Sequence, residues 1–207
     1  MTQAAQRSTA GGRGRRGGKD IIEAAALRAF YDRGYHGTSI RDIAAAAGMT
    51  PPSLYHHFTN KQDILSVVMA RIMQDVLATT RGALLRSGAA PAAQLRALVG
   101  SWVQFHARRQ IEAKVGYAEL NSLEPDGRRL IVALRDEQEG MFRDVVLHGV
   151  EEGVFHTPHP VDAARAIVNM GTAVSSWYDV DGSLTPAQLA DIYADLALSV
   201  VGYRGIG

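Results

Sequence analysis

The side chains best equipped for chemistry in this chain crowd into one stretch, Thr38 to Lys61, which reads TSIRDIAAAAGMTPPSLYHHFTNK. Arg41 offers a planar fork of donors that can pair with guanine in a major groove. Tyr55 can donate its hydroxyl to a phosphate oxygen, and His56 and His57 can do the same or reach a base edge. Lys61 supplies a point charge suited to a sugar–phosphate backbone. Pro51, Pro52 and Ser53 form an edge whose apolar part can meet a thymine methyl group. The chemistry on offer is recognition of nucleic acid by hydrogen bonds and charge.

Those residues need a frame, and the same stretch supplies one. Ile40, Ile43, Ala44 and Ala47 recur at helical spacing and make the inward face of a first helix. Gly48 follows at once, where a helix end takes a left-handed residue that glycine adopts cheaply. Thr50 is an N-cap candidate with Pro51 behind it, a strong start signal. The second helix is very short. Leu54 and Phe58 lie four apart and face inward, which leaves Pro51, Ser53, Tyr55 and His56 to project elsewhere. Asn60 with Asp63 three residues later resembles a capping box for a third helix. Helix, glycine turn, short helix and third helix are the layout of a DNA-reading helix-turn-helix. Each contact has a competing structural role: Arg41 can form a surface ion pair with Asp42 or Asp20, and one of the two histidines is expected to pack or cap.

At these residues the chain resembles the TetR/AcrR family of one-component bacterial transcription regulators. The resemblance starts near Lys19, runs through IIEAAALRAFYDRGYHGTSIRDIA and GMTPPSLYHHFTNKQDIL, and weakens beyond Leu65 to length, helix pattern and phrases such as SSWYDVDGSLTPAQLADIYADLAL. It implies that Thr38 opens the first motif helix beside a DNA phosphate, with Ser39 sharing that task or the N-cap. Many family members carry an aromatic residue where His56 stands. The resemblance also implies a divergent body that holds a ligand and a dimer interface, and repression as the usual mode.

Composition agrees with an all-α chain. Its 207 residues are 46% hydrophobic with few aromatics and much alanine. Without cysteine there are no disulfides, thiolate metal sites or cysteine nucleophiles. No apolar run reaches bilayer length and the start is polar, so a cytoplasmic protein without membrane contact is expected. Residues 1–61 hold nine Lys/Arg against four Asp/Glu, while the rest is net acidic, as a phosphate-seeking head on an acidic body would be. Residues 1–18 lack a hydrophobic period and are expected to be a disordered basic tail, with Arg13, Arg15 and Arg16 as a candidate minor-groove arm. Residues 19–64 are the expected DNA-binding domain. Residues 65–207 are the expected ligand-binding and dimerisation domain, giving about nine helices in all.

In that body, Ala163, Ala166, Ile167, Met170 and Val174 are small or apolar at one helical face. Leu189, Ile192, Tyr193, Leu196 and Val200 form a stripe too wide to leave in water. Paired by a twofold axis, these helices make a homodimer whose two heads read a palindromic operator on double-stranded DNA. Trp102, Phe105, His106, Tyr117, Met141, Phe142, Met170 and Trp177 are candidates for lining a chamber for a small hydrophobic or amphiphilic effector. Parts of the body look similar to family members that respond to fatty-acyl or steroid-derived CoA thioesters, in which case Arg108, Arg109, Arg128 and Arg129 meet CoA phosphate. An activator and a non-specific DNA binder are the alternatives. Neither catalysis nor a cofactor is expected: nucleophile-elbow, Walker and zinc-protease motifs are missing, and His156, His159 and Asp162 sit in a proline-rich turn with poor metal-ligand spacing.

Overall fold

A computed structural model describes residues 7–205, with side chains from Gly17 onward. Every element in that range is helical: α1 Arg7–Arg33, α2 Ile40–Ala46, α3 Pro51–Tyr55, α4 Lys61–Arg86, α5 Pro91–Arg108, α6 Gln110–Ala118, α7 Pro125–Glu151, α8 Pro160–Thr172, α9 Val174–Trp177 and α10 Pro186–Val200. A 3-10 turn, Glu119–Ser122, joins α6 to α7. Counting α9 as the single turn it is, nine helices make the described chain. None is long and apolar enough to cross a membrane.

Local signals account for most boundaries. Gly48 ends the α2 region at φ +66°, a conformation that a side chain would strain. Thr50 caps α3 with Pro51 and Pro52 behind it. Thr185 and Gln188 form a reciprocal capping box at the start of α10. Asn60 accepts the Asp63 N–H at 2.8 Å, while the Asp63 carboxylate reaches back to the Thr59 N–H. Two boundaries differ from expectation. The helical face read from Ala163 to Val174 is broken after Thr172, where the Thr172 hydroxyl bonds back to Val168 and the Ser175 hydroxyl to Thr172, alternatives that compete with the helical ladder. And α1 reaches back to Arg7, into the stretch expected to be a disordered tail, with glycines there that each cost roughly 1 kcal/mol relative to alanine. Residues 1–6 and the side chains of Arg13, Arg15 and Arg16 lie outside the described residues, and with them the expectation of a groove-entering arm.

By packing, the chain forms two units. The first holds the chain up to Arg71 together with Val115–Arg129; the second holds Ile72–Lys114 and the chain from Leu130 onward. In the first unit, Ile22, Phe30, Ile43, Leu54, Phe58, Ile64 and Leu65 form a fully buried core. Each such side chain contributes roughly 1.5–3 kcal/mol relative to exposure. Arg71 binds Asp20 at 2.7 Å and Glu23 at 2.9 Å, tying α4 to α1. Residues 115–129 pack within this first unit as well. The Gln62 amide donates to Ser122 O at 2.6 Å and accepts from the Glu124 N–H at 3.2 Å.

In the second unit α5 is central, packing on α10 and α8. Trp102 Nε1 donates to Val168 O at 3.0 Å, and its ring meets Phe142 of α7. Ion pairs Arg81–Glu137, Arg96–Asp195 and Arg109–Asp75 lie around this core.

Candidate nucleic-acid interface

The start of α2 is built by two neighbouring hydroxyls with different jobs. Ser39 is the N-cap: its hydroxyl accepts the Asp42 N–H at 3.2 Å, and the Asp42 carboxylate accepts the Ser39 N–H at 2.8 Å. Hydrogen bonds from the Ser39 hydroxyl and then its backbone N–H hold the Asp42 carboxyl below its ordinary range. Thr38 is 2% exposed, and its hydroxyl lies 3.0 Å from Ala29 O and 2.8 Å from Gly34 O. The expected phosphate contact or N-cap through the Thr38 hydroxyl is therefore corrected: that group locks the α1–α2 turn from inside. The deciding signal was Asp42, three residues after Ser39 and four after Thr38.

Lys61 also works inward. Its ammonium donates to Tyr35 O at 2.8 Å and Thr38 O at 2.7 Å, and lies 4.0 Å from the Tyr35 ring centroid. A lysine expected to point at phosphate thus ties the α1–α2 turn to α4.

Arg41 is the reverse case. Both carboxylates considered as its partners are engaged elsewhere, Asp42 with Ser39 and Asp20 with Arg71. Arg41 is exposed and forms no ion pair among the described residues. It remains a charged fork on the outer face of α2, opposite buried Ile43 and Ala44.

On α3, Thr50 Oγ1 accepts the Ser53 N–H at 3.4 Å, and Leu54 is fully buried. The opposite side presents Pro52, Tyr55 and His56 to solvent, with Pro51 and Ser53 half-buried. Tyr55 is 54% exposed, a large ring held in water by the helix it stands on. His57 is the histidine that packs. A Cβ at Gly18 would lie 2.8 Å from the His57 ring, so α1 lets that ring in by lacking a side chain there. The arrangement gives a convex edge with one arginine, one phenol, one imidazole and an apolar proline, which suits groove insertion.

The chamber candidates divide. Trp102, Phe105, His106 and Phe142 are buried, and Met141 and Met170 half-buried, all in the second unit. Tyr117 is 73% exposed and belongs to the first unit, and Trp177 is 53% exposed with its ring stacked on Tyr193. Neither lines an interior, because helical spacing alone does not say which side of a helix its own chain covers. Burial pushes the His106 imidazole down to about 4, only partly offset by its bond to Trp102 O. Of the arginines considered for phosphate, Arg109 is neutralised by Asp75 and Glu112, and Arg129 by Asp126.

The dimer candidates divide too. Ala163, Ile167, Val174 and Leu189 are buried by their own chain, a correction to their expected place in an interface. Ala166, Ile192, Leu196 and Val200 are exposed, and Met170 and Tyr193 are half-buried.

Comparisons with known proteins bear on both units. Residues 22–68 match the family described as bacterial regulatory proteins, tetR family, and residues 88–201 match the tetracyclin repressor-like C-terminal domain. The HTH-type transcriptional repressor KstR2 of Mycobacterium tuberculosis is 29% identical over 90% of this chain and 94% of its own. A bacterial regulatory protein in the tetR family from Rhodococcus RHA1 is 32% identical, with TM-score 0.85 over 91% of this chain and 98% of that one. AibR in complex with isovaleryl coenzyme A and operator DNA is 26% identical, with TM-score 0.80 over 90% of this chain and 100% of that one.

Proposed function

The chain belongs to the TetR family of bacterial regulatory proteins, and on that premise we propose that it is a ligand-responsive transcriptional repressor that binds a palindromic operator as a homodimer. The observation that carries the reading is the outward row of α2 and α3. Arg41 keeps its guanidinium unpaired while its neighbours cap and pack, and Tyr55 and His56 stand beside it on a folded helix-turn-helix. Arg41 reads a base edge; Tyr55, with the Ser39 and Thr50 region, sets the register on phosphate.

A twofold dimer through the exposed row of α8 and α10 brings two such heads to one face of the duplex. Successive half-sites then lie about 34–36 Å apart, one turn of DNA. An effector in the second unit favours a state in which α4, whose residues serve both units, is tilted. The half-site spacing is then lost and the operator is released. Coupling of this kind is typically worth about 1–3 kcal/mol. The similar protein AibR is described with isovaleryl coenzyme A, and KstR2 as a ketosteroid regulator, which supports an acyl-CoA or steroid-derived CoA thioester as effector.

Fluorescence anisotropy on labelled DNA from upstream of the protein's own gene tests this directly. Tight binding that exceeds binding to scrambled DNA, and that falls on adding an acyl-CoA or a steroid CoA thioester, is expected. Equal affinity for both DNAs contradicts it.

A further inference from the structure

The second unit buries three polar side chains on its long helices, Thr80 of α4, His106 of α5 and Gln138 of α7, at 0%, 4% and 2% exposure. One of them is incompletely partnered. Gln138 Nε2 is sealed from solvent with no hydrogen-bond partner. Its Oε1 lies 2.9 Å from the Thr80 hydroxyl, which also lies 2.9 Å from Val76 O and 3.2 Å from Leu77 O. One hydroxyl hydrogen cannot serve three acceptors. Turning the amide by 180° satisfies Thr80 with an N–H and moves the carbonyl oxygen to the dry position. In either orientation one end of a buried amide faces no protein partner.

His106 is buried as well, with one ring nitrogen committed. Its Nδ1 is 2.9 Å from Trp102 O, an acceptor, so Nδ1 carries the hydrogen. Its Nε2 is then a lone-pair acceptor. The ring packs 4.3 Å from the Trp102 centroid and 5.5 Å from that of Phe105, and desolvation keeps it uncharged at neutral pH. Phe142 closes on Trp102 from α7. A packed core does not keep the free end of the Gln138 amide dry without cost, since it forfeits a bond that water would make.

We propose that this interior seats the buried end of the effector, and that this end is uncharged, mostly apolar and bears a hydroxyl group. A hydroxyl can give its hydrogen to His106 Nε2, which a ketone or ether cannot, and a hydroxyl likewise suits the free end of the Gln138 amide. A carboxylate is excluded by chemistry: neither His106 nor Gln138 offers a positive charge to hold it. The assignment rests on the reading that the second unit receives an effector, and it adds what that effector must carry.

The test uses a matched pair of probes, 1-decanol and 1-decene, titrated calorimetrically into full-length wild-type protein, Gln138→Leu and His106→Phe at neutral pH. Wild type is expected to bind decanol at least about tenfold more tightly than decene, a typical consequence of leaving buried polar groups unpaired. In either variant the ratio falls to near one through loss of decanol affinity, decene affinity is kept, and the unliganded melting temperature is no lower than wild type. A ratio unchanged in both variants overturns the proposal, as does loss of both probes with a lowered melting temperature, which marks a packing role. Failure of both probes to bind wild type also overturns it, while operator recognition, measured on the effector-free protein, is unaffected by that result.

Discussion

The Tyr35 backbone N–H donates to a Glu119 carboxylate oxygen at 3.0 Å, with both residues buried and 84 positions apart in the chain. The bond fixes the turn between α1 and α2 against the 3-10 turn that leads into α7. Glu119 also accepts the Ser122 hydroxyl at 2.7 Å. The reading head is thereby a larger object than its three helices: residues that follow α6 complete it.

Glu119→Ala leaves the Tyr35 N–H buried without an acceptor. It should destabilise the protein by about 2 kcal/mol, the usual range for an orphaned buried donor. Glu119→Gln keeps an amide oxygen in place and should lose less than half of that. Urea denaturation of the three proteins measures both, and equal stability of Glu119→Ala and wild type would show that the bond contributes nothing.

Arg41→Ala and Tyr55→Phe should separate base reading from positioning. The first relaxes preference at one operator position, worth about 1–3 kcal/mol there. The second weakens all operators alike, by roughly 1 kcal/mol for one lost hydrogen bond. Binding measured across a panel of single-base operator variants distinguishes them, and a uniform loss for Arg41→Ala removes it from base reading.

How far the sequence carries can be judged from these same residues. Gly48, Thr50-Pro51, Leu54 and Phe58 were legible because each follows from local backbone chemistry or helical spacing. The cap at Ser39 was half-legible, since two adjacent hydroxyls competed and only Asp42 broke the tie. Lys61 was misread because a cation at a helix start suits phosphate and main-chain carbonyls equally, and the carbonyls of Tyr35 and Thr38 come from 26 and 23 positions away. Glu119 carried no signal at all, its partner being a backbone group far off in sequence. Trp177 and Tyr117 show the same limit for packing: apolar spacing marks a helix side without saying what covers it.

Stability should fall with acidity through His106. Its folded-state value is depressed to about 4 from 6.5 by burial. Between those values the unfolded chain binds the proton and the folded one does not, so the contribution is intact above pH 6.5 and is lost as pH falls toward 4. The loss amounts to roughly 3 kcal/mol at its limit. His106→Phe should flatten the stability profile in that window, and an unchanged slope would place the titration elsewhere.

Ile192, Leu196 and Val200 lie four apart along α10 and are between 42% and 46% exposed. A row of this kind is costly in a monomer and suits a partner helix. Leu196→Glu should convert the protein to a monomer in sedimentation at micromolar concentration and reduce operator affinity at least about tenfold, since a single short recognition helix binds weakly. Leu196→Ala should stay dimeric with a higher dissociation constant. A Leu196→Glu protein that remains a dimer would remove this row from the interface.

Selection of bound sequences from a random DNA pool, at about 0.15 M salt, addresses the central claim most directly. A repressor with Arg41 and α3 as its reading edge should recover one palindromic motif whose half-site centres lie one helical turn apart. Failure of folded protein to enrich any motif would contradict sequence-specific operator binding and leave the head without its assigned role.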